Sequence, residues 1–203
     1  MILRNLSEPE VSKVLFDHFC AAINALTIHD SGSSRILGHI RLRDTRPFRT
    51  QPRGFLLAKR SVFNRIVGEG NADSLELAFA AFLETAPDVQ AFGKNYMAVG
   101  FKLDYVKANG ELSTYTPDFI VRTTDGVVWI VETKGREELD VPQKMARLRQ
   151  WCADATETSR SDNTAGTAPT SYGYVYVDQE SFEQHKPSSF AGLASSFREY
   201  QEG

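Results

Sequence analysis

Two short stretches hold the residue types with the most specific chemistry, Tyr115-Thr116-Pro117-Asp118 and Glu132-Thr133-Lys134-Gly135. Val127 to Lys134 reads as a strand, and alternation puts Val128, Ile130, Glu132 and Lys134 on one face and Val127, Trp129 and Val131 on the other. So apolar a strand is expected to be buried on both sides, yet it ends in a carboxylate and an ammonium on one face. Buried charges must be paired, hydrated or bound to a metal. Asp118 lies in a second strand-like run, where Asp is a poor strand former, and Pro117 before it removes a ladder donor.

The dipeptide Asp125-Gly126 is expected to close a hairpin between these runs. A two-residue turn there pairs 124 with 127 and therefore 119 with 132. Asp118 is then one residue out of register with Glu132, and a bulge at Pro117 would correct it. Two carboxylates brought together repel unless a divalent cation neutralises them, and hard oxygen ligands suit Mg²⁺, with Mn²⁺ as a substitute. Asp118, Glu132 and the main-chain carbonyl of Thr133 are the expected ligands. The chemistry such a set serves is phosphodiester hydrolysis, with Lys134 orienting the nucleophile or stabilising developing negative charge. Taken singly, Asp118 reads as a turn former and Glu132 with Lys134 as an exposed ion pair of little energetic worth. Their order on consecutive strands is what favours the catalytic reading.

The elements that must position them follow from periodicity. Ser7–Ile28 reads as a helix with a capping-box start and an apolar stripe through Val14, Leu15, Phe19, Ala22, Ile23 and Leu26. His29–Pro52 is rich in Ser, Gly, Arg and Pro, with room for a short strand at Ile36–Leu42. A second helix is expected from Asp73 or Ser74 to about Thr85, closed by Pro87. Strands follow at Tyr96–Val106, Tyr115–Arg122 and Val127–Lys134, then a helix from Val141 to about Ala155 with Pro142 in its first turn. Asp154–Ser171 reads as a polar loop, Tyr172–Val177 as a strand and Ser188–Tyr200 as a helix. Strands 127–134 and 172–177, joined by a helix, call for a parallel crossover inside a mixed sheet. The expectation is an α/β sandwich with a central mixed β-sheet flanked by helices. Its domain plan is an N-terminal helix with a basic Arg-rich extension over residues 1–70, and a core over residues 71–203.

Composition sets the outer limits. The chain has 203 residues, 41% hydrophobic and 24% charged, ordinary values for a globular protein. No apolar run is long enough for a membrane span, and Glu8 and Glu10 argue against a signal peptide. Cys20 and Cys152 have no zinc-ligand spacing, and a reduced cytoplasmic compartment is expected. The net charge of −3 hides an asymmetry: residues 1–70 hold 11 Lys/Arg against 6 Asp/Glu. Between Arg35 and Arg65 eight Arg and Lys59 face only Asp44. Arg-rich composition of this kind fits a local polyanion contact, with Arg46, Arg49 and Arg53 as phosphate forks, or alternatively a solvated segment. The four histidines show no spacing that makes a site.

Pro117-Asp118 with Glu132-Thr133-Lys134 resembles the PD-(D/E)XK nuclease motif. The ordered set of SLELAFAAFL from Ser74, YTPDF from Tyr115, WIVETKG from Trp129, and the later Lys144 and Trp151 narrows the likeness. Over Ser61 to Cys152 the chain is similar to the C-terminal endonuclease domain of type III restriction enzyme Res subunits and related helicase–nucleases. That resemblance implies a restriction-endonuclease-like sandwich and an Mg²⁺-dependent endodeoxyribonuclease with Asp118, Glu132 and Lys134 as its catalytic core. It adds Glu76 as a fourth, metal-facing carboxylate, although Asp73 and Glu76 also have capping-box spacing. Lys144, Lys94 and Tyr115 are candidates for facing phosphate.

The implied partners are double-stranded DNA, a helicase/ATPase motor, in the same parent chain or as a separate subunit, and a Mod-type methyltransferase subunit. No GxxxxGK[ST] phosphate loop occurs in this chain. Cutting both strands with one site needs a homodimer or two passes. A non-cleaving nucleic-acid-binding module of the same fold and a DNA-repair or junction nuclease are the alternatives.

Overall fold

The computed structural model describes residues 8–27, 36–50, 54–68, 74–134, 140–161 and 168–197; Arg53, Asp73 and Gly135 lie outside them. At its centre is a four-stranded sheet of order β3-β6-β7-β8, made of Val89–Lys94, Phe119–Thr123, Val128–Lys134 and Tyr172–Asp178. β6 runs antiparallel to both of its neighbours, β3 and β7, and β7 and β8 run parallel. The mixed sheet and the parallel crossover are as the strand–helix–strand order required.

Both faces of the sheet are covered, which is why β7 is apolar along its length. Phe92, Phe119, Val121, Val131, Val175 and Val177 pack with helices α2 (Leu75–Thr85) and α5 (Phe190–Phe197). On the other face Val128, Ile130 and Tyr176 pack with Val141, Met145, Leu148 and Cys152 of α3 (Val141–Ser161). A hairpin of β4 (Leu103–Val106) and β5 (Leu112–Tyr115) adds Leu103, Tyr105 and Tyr115 to that second cluster.

Several elements differ from expectation. No strand forms over Ile36–Leu42; residues 36–50 are irregular except for one 3-10 turn at Leu42–Asp44. The stretch 54–67 forms a short hairpin, β1 (Phe55–Leu57) with β2 (Arg65–Val67), whose Ile66 is fully buried against the α2 side of the core. The expected 96–106 strand begins only at Leu103, and β3 precedes it. Helix α3 runs on to Ser161, with Thr156 and Thr158 hydroxyls returning hydrogen bonds to carbonyls four residues back. The expected last helix is preceded by α4 (Gln179–His185), which Asp178 caps by accepting from Ser181 N. Lys186, left-handed at φ 40°, ends α4. The first helix, α1 (Pro9–Thr27), forms as read, and its apolar stripe through Val14, Phe19, Ile23 and Leu26 is exposed.

Candidate active site

The sheet ends at one edge with the last residue of β3, the first of β6 and the last of β7, and the turn between β6 and β7 decides how they meet. The loop has three residues, Thr124, Asp125 and Gly126, not two: Thr123 N donates to Val127 O at 3.0 Å and Gly126 is left-handed at φ 86°. Asp125 ties the loop by accepting from Thr123 Oγ1 (2.6 Å) and Val127 N (3.2 Å). Phe119 therefore faces Val131, not Glu132. Asp118 N also donates to Val131 O, at 3.0 Å. Two residues facing one make a bulge, and it falls at Asp118–Phe119 instead of Pro117.

That bulge sets where the Asp118 carboxylate goes. Its Oδ2 accepts from Thr133 N at 2.8 Å and from Thr133 Oγ1 at 2.7 Å. The Asp118 carbonyl is held from the other side by Asn95 N at 2.6 Å. Burial, with the Glu76 charge adding to it, pushes the Asp118 carboxyl up to about 6; the two Thr133 hydrogen bonds and Lys94 oppose the rise.

Glu132, 6% exposed, faces the α3 side of the sheet and accepts from Tyr115 Oη at 3.0 Å through Oε2. Its carboxyl is held well above the usual range by burial and then by Asp118, against the Tyr115 hydrogen bond, Lys134 and Lys144. Tyr115, at the end of β5, is itself raised by burial and by the Glu132 charge. Lys144, in the first turn of α3, places its ammonium 5.9 Å from the Tyr105 and Tyr115 ring centres. The Tyr115 side chain thus meets the carboxylate at its hydroxyl and the cation near its ring.

Lys94 is 4% exposed and donates to Glu76 Oε2 at 2.8 Å and to Val67 O at 3.2 Å. Glu76, from the first turn of α2, is therefore tied to a buried ammonium, and its charge is felt at Asp118. Ser74 is the N-cap of α2 and makes no side-chain cap.

Asp118, Glu132, Lys134, Lys94, Lys144 and Arg49 are among the residues lining one cavity of about 740 Å³, whereas Glu76 and Thr133 do not line it. Arg49 arrives from the Arg-rich segment because that segment is pinned to the sheet at two points. Phe48 packs 4.9 Å from the Tyr96 ring and 5.9 Å from Phe63. Leu42 lies over Gly93, where an added Cβ would come within 2.5 Å of Leu42 Cδ2. Arg46 is exposed and does not line the cavity. Asn95 escaped the sequence reading: an Asn after a strand has no distinguishing local signal, yet its Nδ2 bridges Phe101 O and Pro117 O, each at 2.8 Å.

Each carboxylate has one oxygen committed to the protein. The other, Asp118 Oδ1 and Glu132 Oε1, takes no hydrogen bond among the described residues. No group of three or more His, Cys, Asp or Glu side chains gathers as a metal cluster among those residues. The oxygens left open at the cavity belong to two carboxylates, hard ligands that fit Mg²⁺ with water completing its shell.

Fold and site define an α/β protein with a mixed central sheet between helices, and a recessed cavity of two carboxylates rimmed by cations at the sheet's end. No family model, curated protein or solved structure matches the chain. Among the described residues no helix is long and apolar enough to cross a membrane.

Proposed function

We propose that this chain is an Mg²⁺-dependent endonuclease domain with a restriction-endonuclease-like fold, hydrolysing DNA phosphodiester bonds. The observation that carries this reading is the meeting of Asp118, Glu132 and Lys134 in one cavity whose other charged lining groups, Lys94, Lys144 and Arg49, are all cationic. Two carboxylates whose ionisation is resisted by burial are suited to a cation, and cations around them to an anionic substrate.

Asp118 and Glu132 would hold Mg²⁺. When bound, the ion supplies Lewis-acid polarisation of the phosphate and a more acidic water. Thr133 keeps the Asp118 carboxylate oriented with Oδ1 toward the cavity, and Tyr115 does the same for Glu132 through Oε2. Lys134 stands beside Glu132 on the same strand, where its ammonium meets the charge that develops on the phosphate oxygens. Lys144 and Arg49 contact flanking phosphates.

The type III restriction context, with a motor, a Mod-type partner and double-stranded DNA as substrate, rests on the sequence resemblance; cutting both strands with one site needs two copies or two passes. Incubating the chain with plasmid DNA and Mg²⁺ or Mn²⁺, beside Asp118→Ala and Lys134→Ala, tests the core of the proposal. Nicking or linearisation by the wild type, lost in both variants, is expected; equal cleavage by the variants overturns the site.

A further inference from the structure

The turn after β3 carries a feature that metal binding does not explain. Met97 is 84% exposed at the rim of the cavity, between residues that are firmly held. On one side Asn95 is bonded through its N–H to Asp118 O, and through its amide to Phe101 O and Pro117 O. On the other, Val99 N donates to Tyr96 O at 2.8 Å, Gly100 takes φ 79°, and Val99 and Phe101 are buried. An exposed apolar side chain is unremarkable in itself. A methionine on a turn locked to the backbone of Asp118, at the mouth of a cation-lined cavity, is in a position to act on what enters.

The recessed carboxylates pose a geometric demand. Glu132 is nearly buried and Asp118 is tied back to Thr133, so a phosphate must move into the cavity to reach them. On an undistorted duplex the phosphates follow the outer track of the helix. Displacing one inward strains the adjoining base step, and apolar wedges, Met among them, stabilise such opened steps by taking the place of the lost stacking. An unbranched, polarisable thioether adapts to any base face.

We propose that Met97 is a wedge residue that enters the duplex beside the scissile phosphate and unstacks one base step, so that the site takes locally distorted double-stranded DNA. The inference rests on the nuclease reading. It predicts that Met97 acts on the shape of the bound DNA more than on affinity.

The test uses the full chain in Ca²⁺ and a duplex oligonucleotide carrying 2-aminopurine, quenched when stacked, at regular intervals along one strand. Anisotropy of a terminal dye reports binding, and 2-aminopurine emission reports unstacking. Wild type is expected to bind with a rise in emission, and Met97→Leu to keep that rise. Met97→Ala is expected to lose it while binding weakens by no more than about tenfold. Circular dichroism checks that the variants are folded. Binding by the wild type without a rise, or an equal rise with Met97→Ala, overturns the wedge and leaves the nuclease reading standing. Failure of the wild type to bind any duplex overturns both.

Discussion

Asp118 takes two hydrogen bonds from one residue, Thr133, the N–H at 2.8 Å and the hydroxyl at 2.7 Å, both on Oδ2. The neighbour of a motif carboxylate thus serves as its clamp. Thr133→Val keeps the N–H and removes the hydroxyl, so one of the bonds that lower the Asp118 pKa is lost. The carboxyl should then titrate above its present value of about 6, and the acid limb of the cleavage–pH profile should move up by about one unit. Thr133→Ser should leave it in place. Stability should fall by about 1 kcal/mol, read from urea midpoints.

Metal-free stability should depend on Asp118 in a definite direction. Its folded pKa is raised from 3.8 to about 6, so between those values the native state binds more protons than the unfolded one. Stability therefore falls as pH rises through that window, by up to about 3 kcal/mol for the full shift. Asp118→Asn should remove the Asp118 share of this dependence and leave that of Glu132, whose carboxyl burial also raises. Mg²⁺ should raise Tm more at pH 7.5 than at pH 5, because the ion competes with the proton for the carboxylates. Thermal scans with and without Mg²⁺ read both effects.

The Lys94–Glu76 pair, with side chains 5% and 15% exposed, separates structural from catalytic roles. Glu76→Gln leaves a buried ammonium unpaired and should cost roughly 3–5 kcal/mol. The double variant Glu76→Leu/Lys94→Met should recover most of that loss, giving a large coupling energy in a double-mutant cycle. If stability returns and cleavage does not, Glu76 or Lys94 also serves the reaction. If both return, the pair is structural.

Arg49 and Lys144 should behave as phosphate contacts. Each change to Ala should lower the slope of log K against log salt by about 0.9, read by anisotropy across a salt series. Gly93→Ala should act at a distance. Its methyl would meet the end of the Leu42 side chain, which must turn aside or carry its segment with it, costing up to roughly 1–3 kcal/mol. The salt slope should fall as it does for Arg49→Ala. An unchanged slope in Gly93→Ala would mean that Leu42 turns aside without displacing Arg49; an unchanged slope in Arg49→Ala itself would mean that Arg49 makes no contact with DNA.

The sequence by itself determined what short-range rules govern. Alternation placed Glu132 and Lys134 on one face of β7, helical period located α2 and α3, and the strand–helix–strand order required the parallel β7–β8 pair. β3 was not legible, because Val89–Lys94 mixes Gln90, Gly93 and Lys94 with its apolar residues and breaks the period. Only the tertiary structure decided how the site closes. Asp-Gly marks a turn, but whether two or three residues bridge it depends on side-chain bonds such as Asp125 to Thr123, and one residue of difference moves every partner along the ladder. The clamp of Thr133 on Asp118, the Tyr115 bond to Glu132 and the Lys94–Glu76 pair join residues 15, 17 and 18 positions apart. Periodicity reaches over a few residues along one element. Contacts between elements are set when burial forces each polar group to find whichever partner the packing leaves beside it.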